Sequence, residues 1–336
     1  MSSILACLVL SLQRTEHGRR VRHFTDFRLG LKSIGMLSEF DPDDPRLPPE
    51  LEYKIFEIAA LARPTWIPSL MLVARRVKLW VEPLLYRVVF LKDDEAMTEL
   101  RNLCLPTFTA SALQQTSTHL LQHVKHLMFD DDGLRQTETT LASWVPACTG
   151  IINLYAQINC APAILPSLIG FTNIRYLTID VNALCGLAVP FPLFTTVTHL
   201  ELLAFETTGL AHVCENISSI PQLTHVALNP RLDLRLSHAA LCANKRLECI
   251  VFLSSQASLD GSPLLEDDRF VCIKEGRYEL DWLNGAVFGD DYWALADAFL
   301  AARRAGTIDR SRHRIVSGKD FHSVEDVDGD GGSDSS

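Results

Sequence analysis

A six-residue phrase, apolar-x-x-apolar-x-apolar, recurs through the middle of the chain. It falls at Leu85, Val88, Phe90; Val124, Leu127, Phe129; Ile151, Leu154, Ala156; Ile174, Leu177, Ile179; Val197, Leu200, Leu202; Leu223, Val226, Leu228; and Leu247, Ile250, Phe252. From Val124 onward the phrases start 27, 23, 23, 26 and 24 residues apart. Alternation within each phrase predicts a short strand with one buried face. The stretches between read as helices or irregular turns at 139–147, 163–169, 210–220 and 237–244. Pro166, Pro190, Pro192 and Pro221 keep several of them short. The recurrence predicts an α/β solenoid of parallel strands with helical or irregular returns. A doubly wound sheet is the alternative, but its crossovers need fuller helices than proline-containing units of 23 residues allow. A last amphipathic segment, 292–304, is expected to cap the array.

These periods lie within the range of leucine-rich repeats, about 20–29 residues. Asn159 and Asn182 stand where that repeat carries its Asn or Cys, and the other units lack it, so the repeats are degenerate. The chain accordingly divides into four regions: a poorly structured segment and linker at 1–45, a helical motif at 46–90, a degenerate leucine-rich-repeat domain at 85–304, and a disordered charged tail at 305–336.

The helical motif has its own pattern. Pro48-Pro49-Glu50 opens a helix, since proline suits the first turn and glutamate the positive end of the helix dipole. Leu51, Ile55, Ile58 and Ala62 then fall at helical spacing. A second stripe runs over 69–77, and a third helix over 79–86 carries Pro83. Three helices this short need something else to pack on. Leu47-Pro48-Pro49-Glu50-Leu51 with Ile55-Phe56 resembles the opening of an F-box. Val73-Ala74-Arg75-Arg76-Val77 with Glu82-Pro83-Leu84-Leu85-Tyr86-Arg87 resembles its close, especially in fungal F-box-like proteins. F-box followed by leucine-rich repeats is itself a family architecture.

The resemblance implies a non-catalytic substrate receptor. Its F-box would dock on a Skp-type adaptor, and through it a cullin, of a ubiquitin ligase. Its repeats would hold an unidentified protein substrate. The residues implied for adaptor binding are Leu47, Pro48, Leu51, Ile55, Phe56, Leu70, Val73, Val77 and Trp80. Ala74 and Val77 stand where the family often has Cys and Trp. They favour the alternative of an interaction scaffold that no longer couples to a ligase.

Residues flanking the buried positions of each strand point to the other face. In a solenoid that concave face often binds the partner. His126, Tyr155, Tyr176, His199, Glu201 and His225 are its candidate substrate-binding residues. His199 and His225 hold equivalent places in successive units, which allows a pH-responsive pair; solvated histidines without function are the plainer reading.

Charge and chemistry narrow the classes. The net charge of −10 argues against broad nucleic-acid binding. The longest clean apolar run, 4–10, is too short to span a bilayer. Nine scattered cysteines without a Cys-x-x-Cys indicate buried thiols in a reducing compartment, cytoplasmic or nuclear. No phosphate loop, nucleophile elbow or zinc-protease motif occurs, so no catalytic residue and no cofactor is expected. No metal is expected either. A strand over 124–129 would splay His119, His123 and His126. Asp326-x-Asp328-x-Asp330-Gly331 lacks the glutamate that closes a calcium loop. Asp130-Asp131-Asp132 reads as an exposed turn ending in Gly133.

Overall fold

The computed structural model describes residues 47–91, 108, 110–129, 144–156, 168, 170–185, 192–204, 210–233, 235–254, 259–274 and 278–315. Asp130–Asp132, Asn159 and the stretch 316–336 lie outside the described residues. The chain divides after Glu52. Of the first unit, residues 47–52 are described, and the repeat architecture belongs to the second.

Helix α1, Pro49–Ala62, carries Glu50 and Glu52 in its first turn, where the dipole favours them. Pro64 follows its end and opens a 3-10 turn, Pro64–Trp66. Helix α2, Ile67–Leu70, is a single turn, and α3, Arg75–Leu85, runs on with Pro83 inside it. The expected stripe over 69–77 is therefore broken: α2 stops at Leu70 and Val77 belongs to α3. Ala60, Ile67, Val77 and Val81 form a small buried core, with Phe56, Leu70, Trp80 and Leu84 packed around it. An apolar niche lined by Ile67, Leu84, Leu85, Val88 and Val287 joins these helices to the sheet region, which supplies the packing partner they need.

The sheet has nine strands, all parallel and hydrogen-bonded in chain order. They are β1 Val88–Leu91, β2 His126–Phe129, β3 Asn153–Ala156, β4 Tyr176–Asp180, β5 His199–Leu203, β6 His225–Leu228, β7 Cys249–Phe252, β8 Phe270–Ile273 and β9 Arg314–Ile315. From β2 to β7 the register partners step by 27, 23, 23, 26 and 24 residues, the period of the apolar phrase. The returns are 3-10 turns and short helices, among them α4 Ala110–Gln114, α5 Thr118–Leu121, α6 Val213–Ser219 and α7 His238–Ala243. An unbroken order of parallel strands with short returns is a solenoid, not a doubly wound sheet, whose order would reverse.

One face of the sheet builds the main core. Leu127, Leu154, Leu177, Leu200, Val226, Ile250 and Phe270 line up on successive strands and are buried to 1% exposure or less. The first strand corrects the sequence reading by one residue. Val89 and Leu91, not Val88 and Phe90, enter this core, because Val88 pairs with His126 and Val89 with Leu127. A one-residue slip exchanges the faces.

The second face is closed as well. Helix α8, Tyr278–Phe288, packs Trp282, Leu283 and Ala286 on Val88, Phe90, Met128, Tyr155 and Leu203. Helix α9, Tyr292–Arg304, packs Trp293, Ala296, Phe299 and Leu300 on Ala227, Cys249, Val251, Val271 and Ile315. Segment 292–304 is helical as expected, but it covers the sheet face and does not cap its end. Residues 314–315, expected in the charged tail, add the ninth strand. Helix α9 ends with Gly306 at φ +79°, its N–H on Arg303 O, and Thr307 N–H on Ala302 O. That paired closure favours a left-handed glycine. Arg303 is 2% exposed and donates to the carbonyls of Arg312, Asp268 and Phe270, locking α9 to β8.

Candidate functional site

The six residues expected on an open concave face do share the second face, as strand alternation requires. They lie under α8 and α9: His126 is 7% exposed, Tyr155 2%, Glu201 5% and His225 8%, with Tyr176 and His199 half-buried. An open face here is thus corrected by the chain's own helices. Parallel sheets are rarely left bare, and continuous apolar strands such as Val88–Leu91 and Phe270–Ile273 have no solvent side to offer.

Between the two helices the face turns polar. A cleft is lined by Asn153, Tyr176, Thr178, Glu201, Asp281, Trp282, Asp291, Tyr292 and Trp293. Trp282 donates its indole N–H to Asn153 Oδ1 at 2.9 Å, and the Thr178 hydroxyl donates to Glu201 Oε2 at 2.8 Å. Asp281 accepts from the Tyr292 backbone N–H at 3.3 Å. Burial is the main force on the ionisable groups. It pushes the Asp281 carboxyl up to about 6, aided by Asp291 and Asp290, and it raises Asp291 too. It lifts the Tyr292 hydroxyl well above its ordinary value, with Glu201 adding negative charge beside it. Among the described residues no lysine or arginine lines this cleft, and Glu201, Asp281 and Asp291 are its ionisable carboxyls.

An aromatic row crosses the same face. Tyr176 stacks on His199 with centroids 4.4 Å apart, His199 on His225 at 4.1 Å, and Trp293 meets both histidines edge-on. Burial, with His225 as a lesser cause, pushes His199 down to about 3, so it is neutral near pH 7. The pair expected as solvated side chains is a packed stack. His126 meets Trp282 edge-on and neither ring nitrogen finds a hydrogen-bond partner among the described residues. Burial first, then Arg87 and Lys125, takes it to about 3. Sequence reasoning missed Trp282, Asp281, Asp291 and Tyr292. The available signals were Leu283 and Ala286-Val287 at helical spacing and Asp291 placed to cap the next helix. Asp291 Oδ1 does accept the Ala294 N–H at 2.9 Å.

The helical module presents the opposite kind of surface. Among the described residues, six of the eight exposed large apolar side chains lie between Leu51 and Leu79: Leu51 55%, Tyr53 38%, Ile58 56%, Leu72 87%, Val73 60% and Leu79 65%. Of the residues implied for adaptor docking, Pro48, Leu51 and Val73 are exposed. Leu47, Ile55, Phe56, Leu70 and Trp80 are half-buried. Val77 is 0% exposed and is corrected to a core residue. The stripe Leu51, Ile55, Ile58, Ala62 is real but faces outward, while Phe56 and Ala60 supply the inner face of α1.

Burial pushes the Cys148, Cys249 and Cys272 thiols up to about 12, so they behave as small apolar groups. His199, His225 and Asp297 form a group whose potential ligand atoms all lie within 4.8 Å of one another. Among the described residues no helix is long and apolar enough to cross a membrane.

No protein-family model matches the sequence, and no curated protein matches it. A solved structure that does match is the leucine-rich repeat-containing protein LegL7 from Legionella pneumophila. It is 14% identical, covering 60% of this chain and 77% of that one, with a TM-score of 0.36. The class therefore rests on strand order, register and period: a parallel-strand repeat solenoid, closed on its second face by its own C-terminal helices.

Proposed function

We propose that this chain is a non-catalytic receptor subunit that docks a Skp-type adaptor, and through it a cullin, by the apolar surface of α1–α3. The observation that carries the reading is the concentration of exposed apolar side chains on that module, against a repeat region closed on both faces. Apolar groups gathered on one surface mark a partner site more than a scatter of single ones does. The resemblance of 47–90 to an F-box supplies the partner's identity. In this reading the chain holds a protein substrate near a transfer centre and contributes effective concentration, not bond chemistry.

In this reading a basic segment of the substrate meets the polar cleft at its rim, where Tyr176, Asp281 and Asp291 are half-buried. Co-purification with a Skp-type adaptor tests the docking claim. Wild type should retain the adaptor, and a Leu51→Asp, Ile58→Asp double variant, folded by circular dichroism, should lose it. A folded wild type that fails to retain it leaves a repeat scaffold without ligase coupling.

A further inference from the structure

His199 and His225 are register partners on β5 and β6, with ring planes 19° from parallel. Each follows a threonine whose hydroxyl holds its Nδ1, Thr198 at 2.9 Å and Thr224 at 2.7 Å. Each hydroxyl also faces a carbonyl at 3.2 Å, that of Arg175 for Thr198 and that of Thr198 for Thr224. A carbonyl only accepts. Both contacts are hydrogen bonds only when the hydroxyl donates to the carbonyl and the ring donates Nδ1–H to the hydroxyl. This assignment, made from the network, leaves the lone pair of each ring on Nε2. For His225 that lone pair faces Asp297 Oδ1 at 3.1 Å. Two acceptors that close call for a positive centre between them, a proton or a metal ion.

We propose that His199 Nε2, His225 Nε2 and the Asp297 carboxylate bind one divalent transition-metal ion of the zinc class, with solvent in the remaining position. Two imidazoles and a carboxylate suit zinc and exclude a magnesium or calcium preference, since those ions take oxygen ligands. Thr198 and Thr224 are the outer partners that orient metal-binding histidines. Trp293 meets both rings edge-on, at 5.1 and 6.0 Å, and the near-parallel rings must tilt against it for their Nε2 lone pairs to converge on one ion. Bonds of about 2.1 Å place tetrahedral ligands about 3.3 Å apart, so the three groups draw together on binding. Asp297, its side chain 56% exposed on α9, has the freedom to make that movement. The ion would join β5 and β6 to α9, tying the closing helix to the sheet.

The test uses the full chain, stripped with a chelator and titrated with zinc chloride against a chromophoric competitor. One ion should bind per chain, with a rise in Tm that magnesium chloride does not produce. His225→Gln and Asp297→Asn should each weaken zinc at least tenfold. Asp297 is exposed, so its variant keeps the fold and stays informative if the His225 variant does not. A His119→Gln, His123→Gln double variant controls for that neighbouring pair, whose rings lie 5.4 Å apart, and should bind as wild type does. Absence of zinc binding overturns the proposal. So does equal affinity in wild type and Asp297→Asn, or loss confined to the His119, His123 variant.

Discussion

His126 and Asp281 carry opposite electrostatic loads on the closed face. Burial holds His126 neutral down to about pH 3, against 6.5 in the unfolded chain. The unfolded state takes up a proton the native state refuses, so stability is lost as pH falls from 6.5 toward 3. Asp281 stays protonated in the native chain up to about pH 6, against 3.8 unfolded. Its contribution is full below pH 3.8 and is lost as pH rises through 6. The two slopes oppose each other between about pH 4 and 6. His126→Leu should therefore gain about 2 kcal/mol relative to wild type on going from pH 7 to 5. Asp281→Asn should gain on the order of 2–3 kcal/mol relative to wild type on going from pH 4 to 7. Urea unfolding across this range checks both; differences independent of pH would contradict the burial argument.

Arg269 is the element-scale counterpart. It pairs with Asp267 at 2.6 and 2.8 Å and donates to the carbonyls of Cys242, Asn244 and Leu247 at 2.8–2.9 Å. One guanidinium thus closes the end of α7 and ties its repeat to the next. Arg269→Ala should cost about 2–4 kcal/mol, and Arg269→Lys should recover little, since a point charge cannot span that fork. The midpoint of urea unfolding reads both. The close approach of α8 to the start of α9 depends on Gly285, where an added Cβ would collide with the Asp291 carboxylate. Gly285→Ala gains about 1 kcal/mol of helix propensity. It loses about 1 for the Asp291 cap and 1–3 for crowding, leaving a net loss of about 1–3 kcal/mol in urea measurements. These same elements show what the sequence made legible. Strands β2–β7 were readable because an aliphatic residue (Val124, Ile151, Ile174, Val197, Leu223, Leu247) recurs at a steady period three places ahead of each strand's first core residue. Strand β1 was misphased because Val88-Val89-Phe90-Leu91 is apolar throughout, and buried on both faces it leaves no period to read. Strand β8 was missed because Asp267 occupies the place that Leu247 holds one unit earlier, and it serves Arg269 there.

At the scale of the molecule, the sequence announced a binding face and the fold assigned that face to its own helices. Composition could not foresee this, because α8 lies more than seventy residues from the strands it covers at Val88, Tyr155 and Leu203. The stripe Leu51, Ile55, Ile58 was legible as apolar, with Leu51 and Ile55 among the residues implied for docking, and it faces outward; Phe56 and small buried Ala60, which the stripe does not include, make the inner contact. Two claims follow: the repeat sheet is closed by its own helices, and α1–α3 are proposed to dock the adaptor. Hydrogen–deuterium exchange of the full chain, alone and with a Skp-type adaptor, tests both together. The strands and 278–304 should be protected in the free chain, and the adaptor should add protection over 49–80. Rapid exchange through 278–304 in the free chain, or no added protection over 49–80 with adaptor present, would contradict it.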